Sequence, residues 1–234
     1  MKIRQFATVL MFYILVVSIV LTATYWGSVA TNTIAEKIPL VRNNTIIIDA
    51  GHGGEDGGST SCTGKLESAF NLEISHCLND LFHLLGVHTE MVRTTDVSVY
   101  SNADTIAEKK ISDLKNRVKL VNETENGLLL SIHQNTFPDS KCAGAQVFYG
   151  RSDDAKELAA MLQNRFVATI NEGSTRKIKK AEGIFLMEHI DKVGVLIECG
   201  FLSNPEEEAK LRDKTYQQKI CCVIATTVCN FLDR

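Results

Sequence analysis

Two short apolar runs, each closed by a histidine, constrain this chain more than any other feature. Thr45-Ile46-Ile47-Ile48-Asp49-Ala50-Gly51 leads into His52, and Leu128-Leu129-Leu130-Ser131-Ile132 leads into His133. Such runs suit strands buried in an open α/β sheet. Functional groups of these sheets collect in the crevice beyond the carboxyl ends of the strands. Two imidazoles brought there by separate strands can converge on one ion, and a carboxylate between them would complete the His, Glu, His set of a catalytic zinc.

The rest of the pattern agrees with such a sheet. From Leu66 to Leu85, apolar residues recur at Leu66, Phe70, Ile74, Cys77, Leu78, Leu81 and Leu85, the spacing of a helix with one buried face, and Gly86 stops it. A strand is expected over Val87–Val92, a helix over Ala107–Asn122 and a strand over Leu128–Ile132. Further on come strand Ala145–Tyr149, helix Asp154–Ile170, a short segment near Gly183–Met187, strand Val193–Ile197 and a closing helix Tyr216–Leu232. This order predicts a single three-layer α/β domain, with a mostly parallel central sheet and helices on both faces.

The amino end reads differently. Lys2 and Arg4 precede an uncharged stretch from Phe6 to Ala30, long enough to cross a bilayer core of about 30 Å as a helix. Residues 1–30 are expected to be a signal-anchor or transmembrane segment, residues 31–43 a linker, and residues 44–234 the catalytic domain. The basic residues ahead of the stretch favour delivery of that domain outside the cytoplasm. Ser28-Val29-Ala30 also fits a cleavage site, and cleavage would release a secreted protein. The apolar stretch is longer than a usual signal core, which favours a retained anchor.

With 234 residues, 44% of them hydrophobic, the chain has material for one substantial core. Its formal charge of -3 supplies no basic face for nucleic acid, so no nucleic-acid partner is expected. The 7 cysteines include no Cys-x-x-Cys pair, which removes zinc-ribbon and thioredoxin-like readings. Cys77, Cys222 and Cys229 fit apolar helix positions, whereas Cys62 and Cys142 fall in loops and could bridge in an oxidising compartment.

Position selects the carboxylate. Glu67 lies in the first turn of its helix, near the strand ends, while Glu73 is ~9 Å further along the axis. Glu55 and Asp56 are loop alternatives, less rigid than a helix-borne ligand. Glu198 follows the apolar run Val193–Ile197, so it too ends a strand, where exclusion of water would raise its proton affinity as a general base requires.

Four segments, in order, resemble the motifs of zinc-dependent N-acetylmuramoyl-L-alanine amidases. They are Asp49-Ala50-Gly51-His52-Gly53-Gly54, Glu67 with Asn71-Leu72, Ser131-Ile132-His133-Gln134-Asn135 and Glu198-Cys199-Gly200-Phe201-Leu202-Ser203-Asn204. The resemblance implies His52, Glu67 and His133 as Zn2+ ligands and Glu198 as the catalytic carboxylate. It also implies hydrolysis, in peptidoglycan, of the amide joining N-acetylmuramic acid to L-alanine. Within the family, the short form without wall-binding repeats, carrying Asp191-Lys192-Val193-Gly194-Val195-Leu196-Ile197-Glu198-Cys199, is similar to the spore-cortex, germination-specific amidases. Those enzymes prepare the cortex for muramic δ-lactam formation, which places this chain at the forespore membrane and cortex. An activating partner protein is a further implication. Ser68, Ala69 and Gln134 depart from the family's usual residues, which bears on substrate contacts.

Blander roles compete. His76, His83 and His88 suit helix-flank or strand positions without chemistry, and His189, shortly before the Glu198 strand, is left out of the catalytic set. Asp49 suits a brace for the Gly51–Gly54 turn or a partner of a zinc-bound imidazole. Arg93 and Arg117 suit structural roles better than substrate carboxylates. Two other function classes remain: a thiol hydrolase built on Cys199 and His133, and a wall-binding protein without catalysis.

Overall fold

A computed structural model of the chain describes Met11, residues 16–25 and residues 43–234. Contacts divide the chain into two units, Met1–Leu40 and Val41–Arg234. In the first, residues 16–25 are helical and exposed. Most of the expected anchor and nearly all of the expected linker lie outside the described residues. Among the described residues, no helix is long and apolar enough to cross a membrane.

In the second unit the order is β1 (Thr45–Ala50), α1 (Glu67–Leu84), β2 (His88–Met91), α2 (Ile106–Glu123), β3 (Gly127–Asn135) and β4 (Gln146–Tyr149). There follow α3 (Asp153–Thr169), β5 (Lys179–Lys180), α4 (Phe185–His189), β6 (Val193–Phe201), α5 (Pro205–Arg212) and α6 (Lys214–Leu232). The strands form one six-stranded sheet in the order β2-β1-β3-β6-β4-β5. β1, β2, β3 and β6 run parallel, and β4 runs antiparallel to β6. Segment 136–145, between β3 and β4, holds no helix, so the chain turns back at the same end of the sheet instead of crossing over.

Strand alternation sorts the core into two layers. Ile46, Ile48, Leu130, Ile132 and Ile197 face one side, where Phe70, Ile74, Leu158, Phe166 and Ile224 of α1, α3 and α6 cover them. Ile47, Leu129 and Leu196 face the other, under Val121 of α2 and Leu186 and Met187 of α4. Helices therefore cover both faces, as the sequence pattern predicts. β3 and β6 run past their expected ends to Asn135 and Phe201, and two short elements, β5 and α5, were not foreseen. α5 carries the local signals of a helix start: Asn204 accepts from the Glu206 and Glu207 N–H groups, and Pro205 follows it.

The end of β1 needs special support, because its last carbonyls lie where the ladder stops. Two buried arginines supply the donors. Arg117, from α2, pairs with Asp49 and donates to the carbonyls of Ala50 (3.1 Å) and His52 (2.9 Å). Arg93 donates to the carbonyls of Ala50 (2.8 Å), Gly51 (3.0 Å) and Ser68 (2.8 Å). Ser131 of β3 donates to the second Asp49 oxygen at 2.6 Å. Both arginines are structural, and Asp49 braces the turn through Arg117. Burial alone would raise the Asp49 carboxyl, but Arg117 and the Ser131 hydroxyl outweigh it and hold the group below its ordinary value.

Arg117→Met would leave the Asp49 charge buried without its cation, and the expected loss is about 3–5 kcal/mol at pH 7, read from the chemical denaturation midpoint. A depressed carboxyl stabilises the fold above its ordinary value of 3.8 and loses that contribution as pH falls through the folded-state value. The gap between wild type and variant should therefore narrow below about pH 4.

Candidate active site

Just past the end of β1 and within the last residues of β3, the side chains of His52 and His133 meet Glu67, the first residue of α1. Glu67 Oε1 lies 3.3 Å from His52 Nε2 and 3.1 Å from His133 Nδ1. The imidazole centroids are 5.0 Å apart with ring planes at 74°. One ligand atom from each of the three residues falls within 4.8 Å of the others, and this is the only such His/Cys/Asp/Glu group among the described residues.

The carboxylate is held from several sides. Its oxygens accept from the backbone N–H of Ser59 (3.0 Å) and Gln134 (3.3 Å) and from Asn71 Nδ2 (3.4 Å). Burial raises the Glu67 carboxyl, yet hydrogen bonds from His133 and His52 prevail and keep it ionised far below its ordinary range. Behind His52, Asp56 Oδ1 lies 3.1 Å from Nδ1. An imidazole steadied by a carboxylate at its other nitrogen is the usual setting of a metal-bound histidine. Two imidazoles and one buried carboxylate, at these separations and with an open side, fit a catalytic zinc.

The competing carboxylates are accounted for. Asp56 stands behind His52, and Glu55 pairs with Lys109 at 2.9 Å. Glu73 is engaged by Lys65 (2.7 Å) and Lys214 (3.0 Å). Burial would raise its carboxyl, but the hydrogen bonds from Lys65, Gln217 and Lys214 lower it to about 2. The remaining histidines with partners bond elsewhere: His76 to the Thr94 carbonyl, His83 to Thr89 and His189 to the Phe185 carbonyl. All the cysteines are free thiols, Cys62 and Cys142 included.

Glu198 stands directly opposite His133 in the β3–β6 register, so both side chains leave the same face of the sheet. Burial pushes its carboxyl up to about 7; the Glu67 charge adds to the rise, while His133 and His52 oppose it. Its Oε2 is buried and has no hydrogen-bond partner among the described residues. Cys199, the next residue, points to the opposite face and is 1% exposed within the core. Burial raises its thiol well above the ordinary range, which leaves it protonated and remote from nucleophilic use. A cavity of about 370 Å³ opens from His52 and His133 along Ile106, Leu114, Ile184 and Leu186 of the α2–α4 side.

Sequence reasoning missed how tightly glycines frame this cluster. His52 itself has φ 62, a left-handed conformation that costs a non-glycine residue about 1–3 kcal/mol. A Cβ at Gly51 would lie 2.2 Å from the His133 ring. Gly58 has φ +67, and a Cβ there would lie 2.7 Å from both Glu67 Oε2 and His52 Cδ2. Gly58→Ala should therefore weaken divalent-metal affinity by about 10–100-fold in chelator competition while the far-ultraviolet circular dichroism stays native.

Comparison with known proteins extends this picture. The family model Amidase_3, described as N-acetylmuramoyl-L-alanine amidase, matches residues 46–230. The germination-specific N-acetylmuramoyl-L-alanine amidase of Bacillus subtilis (strain 168) is 38% identical over 182 residues, which cover 76% of each chain. Among solved structures, the CwlD amidase of Clostridioides difficile, in complex with the GerS lipoprotein, superposes with a TM-score of 0.78 at 36% identity, covering 81% of this chain and 98% of that one. A second N-acetylmuramoyl-L-alanine amidase, from Clostridium difficile 630, gives 0.70 at 29% identity over 82% and 98%. With the match running from β1 to the last helix, the chain belongs to the N-acetylmuramoyl-L-alanine amidase family.

Proposed function

We propose that this amidase is zinc-dependent, that His52, Glu67 and His133 hold the metal, and that Glu198 is its general base and acid. The reading is carried by one observation: three ligand atoms converge within 4.8 Å, beside a β6 carboxylate whose buried oxygen has no partner among the described residues. When bound, zinc supplies Lewis acidity, polarising the scissile carbonyl and making water acidic enough to attack near neutral pH. Glu198, raised to about 7 by burial, is matched to the proton traffic of the reaction. It takes a proton from the attacking water and returns one to the departing amide nitrogen of L-alanine. The cavity beside α2 and α4, with Ile106, Leu114, Ile184 and Leu186 in its wall, opens next to His52 and His133.

The substrate in this proposal is spore-cortex peptidoglycan, from which stem peptides are removed so that muramic δ-lactam can form before germination. The 38% identical Bacillus subtilis amidase, named germination-specific, supports that choice. The Clostridioides difficile relative was solved with a lipoprotein, which supports an activating partner protein here. The uncharged stretch from Phe6 to Ala30 supports a membrane-anchored enzyme with its catalytic unit outside the cytoplasm, at the forespore membrane.

Incubation of purified cortex with the full chain, followed by mass analysis of the products, tests the reaction. Intact stem peptides beginning with L-alanine should appear, disappear with chelator and return with added zinc; cleavage inside the peptide would contradict the proposal. Glu198→Gln is expected to lower kcat by about 10²–10⁴-fold while zinc affinity stays within a few-fold. Cys199→Ser should retain activity within a few-fold, since its thiol faces the core and stays protonated.

A further inference from the structure

On the far side of Glu198 from the α2–α4 cavity, the sheet continues through β4 to its edge. Gln146 of β4 stands directly opposite Glu198 in the antiparallel register and so shares its face. The Gln146 amide is fully engaged: Nε2 donates to the Lys177 carbonyl at 2.8 Å, and Oε1 accepts from Arg176 Nη1 at 3.1 Å. Arg176 Nε donates to the Ala143 carbonyl at 2.7 Å, and its guanidinium carbon lies 4.4 Å from the centre of the Phe201 ring. Two hydrogen bonds and an aromatic face thus fix the guanidinium in one orientation.

Arg117 and Arg212 pair with carboxylates, whereas Arg176 has no ion-pair partner among the described residues. It lines a cavity of about 640 Å³ together with Lys141 and Lys210, which also lack ion pairs among the described residues. One carboxylate in the wall, Glu207, faces backbone donors, its Oε2 accepting from the N–H groups of Gly144 (2.8 Å) and Phe201 (3.0 Å). The other, Glu172, is exposed at the rim. In the α2–α4 cavity, by contrast, Lys109 and Lys110 are paired with Glu55 and Asp56. The cavity on the β4–β5 side thus gathers three cations, Arg176, Lys141 and Lys210, against two carboxylates, Glu172 and Glu207, and none of the three cations is in an ion pair among the described residues.

We infer that Arg176 is a specificity-determining residue that binds a carboxylate of the substrate's stem peptide, on the segment that follows L-alanine. The inference rests on the amidase reading of the site. Gln146 is one strand separation (~5 Å) from Glu198 and the guanidinium one hydrogen bond beyond Gln146, which puts it roughly 8 Å from Glu198. An extended peptide advances at most ~3.3–3.6 Å per residue, so a free carboxylate two to three residues beyond the scissile amide falls within its reach. The planar fork then offers paired N–H donors to both carboxylate oxygens. A peptide thus runs toward β4 and β5, while the muramoyl sugar lies on the α2–α4 side.

Two muramoyl peptides, identical except that the residue after L-alanine bears a free carboxylate or a carboxamide, test this with the full chain. The wild type should cleave both, with KM about 10-fold or more lower for the acid. Arg176→Gln should raise KM for the acid by about that factor, leave KM for the carboxamide within twofold and leave kcat nearly unchanged, with Arg176→Lys intermediate. Equal damage to both substrates would mean that Arg176 only staples its loop, and would overturn the inference. So would a wild type indifferent to the carboxylate, a comparison that needs no folded variant. Cleavage of neither substrate by zinc-loaded wild type would count against the amidase reading and remove the subsite with it.

Discussion

Everything at the reacting end of this molecule hangs from buried cations that terminate β1. A strand that stops inside a protein leaves carbonyls without partners, and here Arg93 and Arg117 take them up. Burying a guanidinium is costly unless charge and hydrogen bonds are both returned to it. Asp49 and Asp113 return the charge to Arg117. The turn so anchored can hold His52 at a positive φ, and His52 faces Glu67 because of it. A strained residue at a functional site persists only where its surroundings over-determine it, as they do here.

Strand alternation then divides labour between the two faces. His133, Glu198 and Gln146 form one polar row across β3, β6 and β4. Their sequence neighbours turn the other way: Cys199 enters the core, and Gln134 donates to Asn71 at 3.3 Å behind the Glu67 carboxylate. A single-residue shift thus separates groups suited to proton transfer from groups that serve packing. Adjacency in sequence is a poor guide to shared chemistry in a strand, which is why a Cys199–His133 pair finds no support in the fold.

The site also separates two kinds of surroundings. One cavity is bounded by aliphatic side chains of α2 and α4, with its lysines neutralised by neighbouring carboxylates. The other is polar and carries a fixed guanidinium beside the row that contains Glu198. Such asymmetry would let an enzyme that cuts between a sugar polymer and a peptide orient the two halves of its substrate before any bond is broken.

Local pattern alone carried the layered architecture: the Ile and Leu runs at β1 and β3 and the helical spacing in α1 are each readable within a short window, because burial imposes its period directly on the chain. The convergence of His52, Glu67 and His133 was legible too, since strand ends and a helix start are places that topology assigns. Short elements such as β5 and α5 escaped, as they are too brief for periodicity to register. What only the tertiary structure decided were relations between distant segments: the antiparallel turn of β4, Asp56 behind His52, the arginine supports under β1, and Arg176 without an ion pair among the described residues. These depend on which side chains meet across the fold, and a linear order of residues does not specify orientation or partner at that distance.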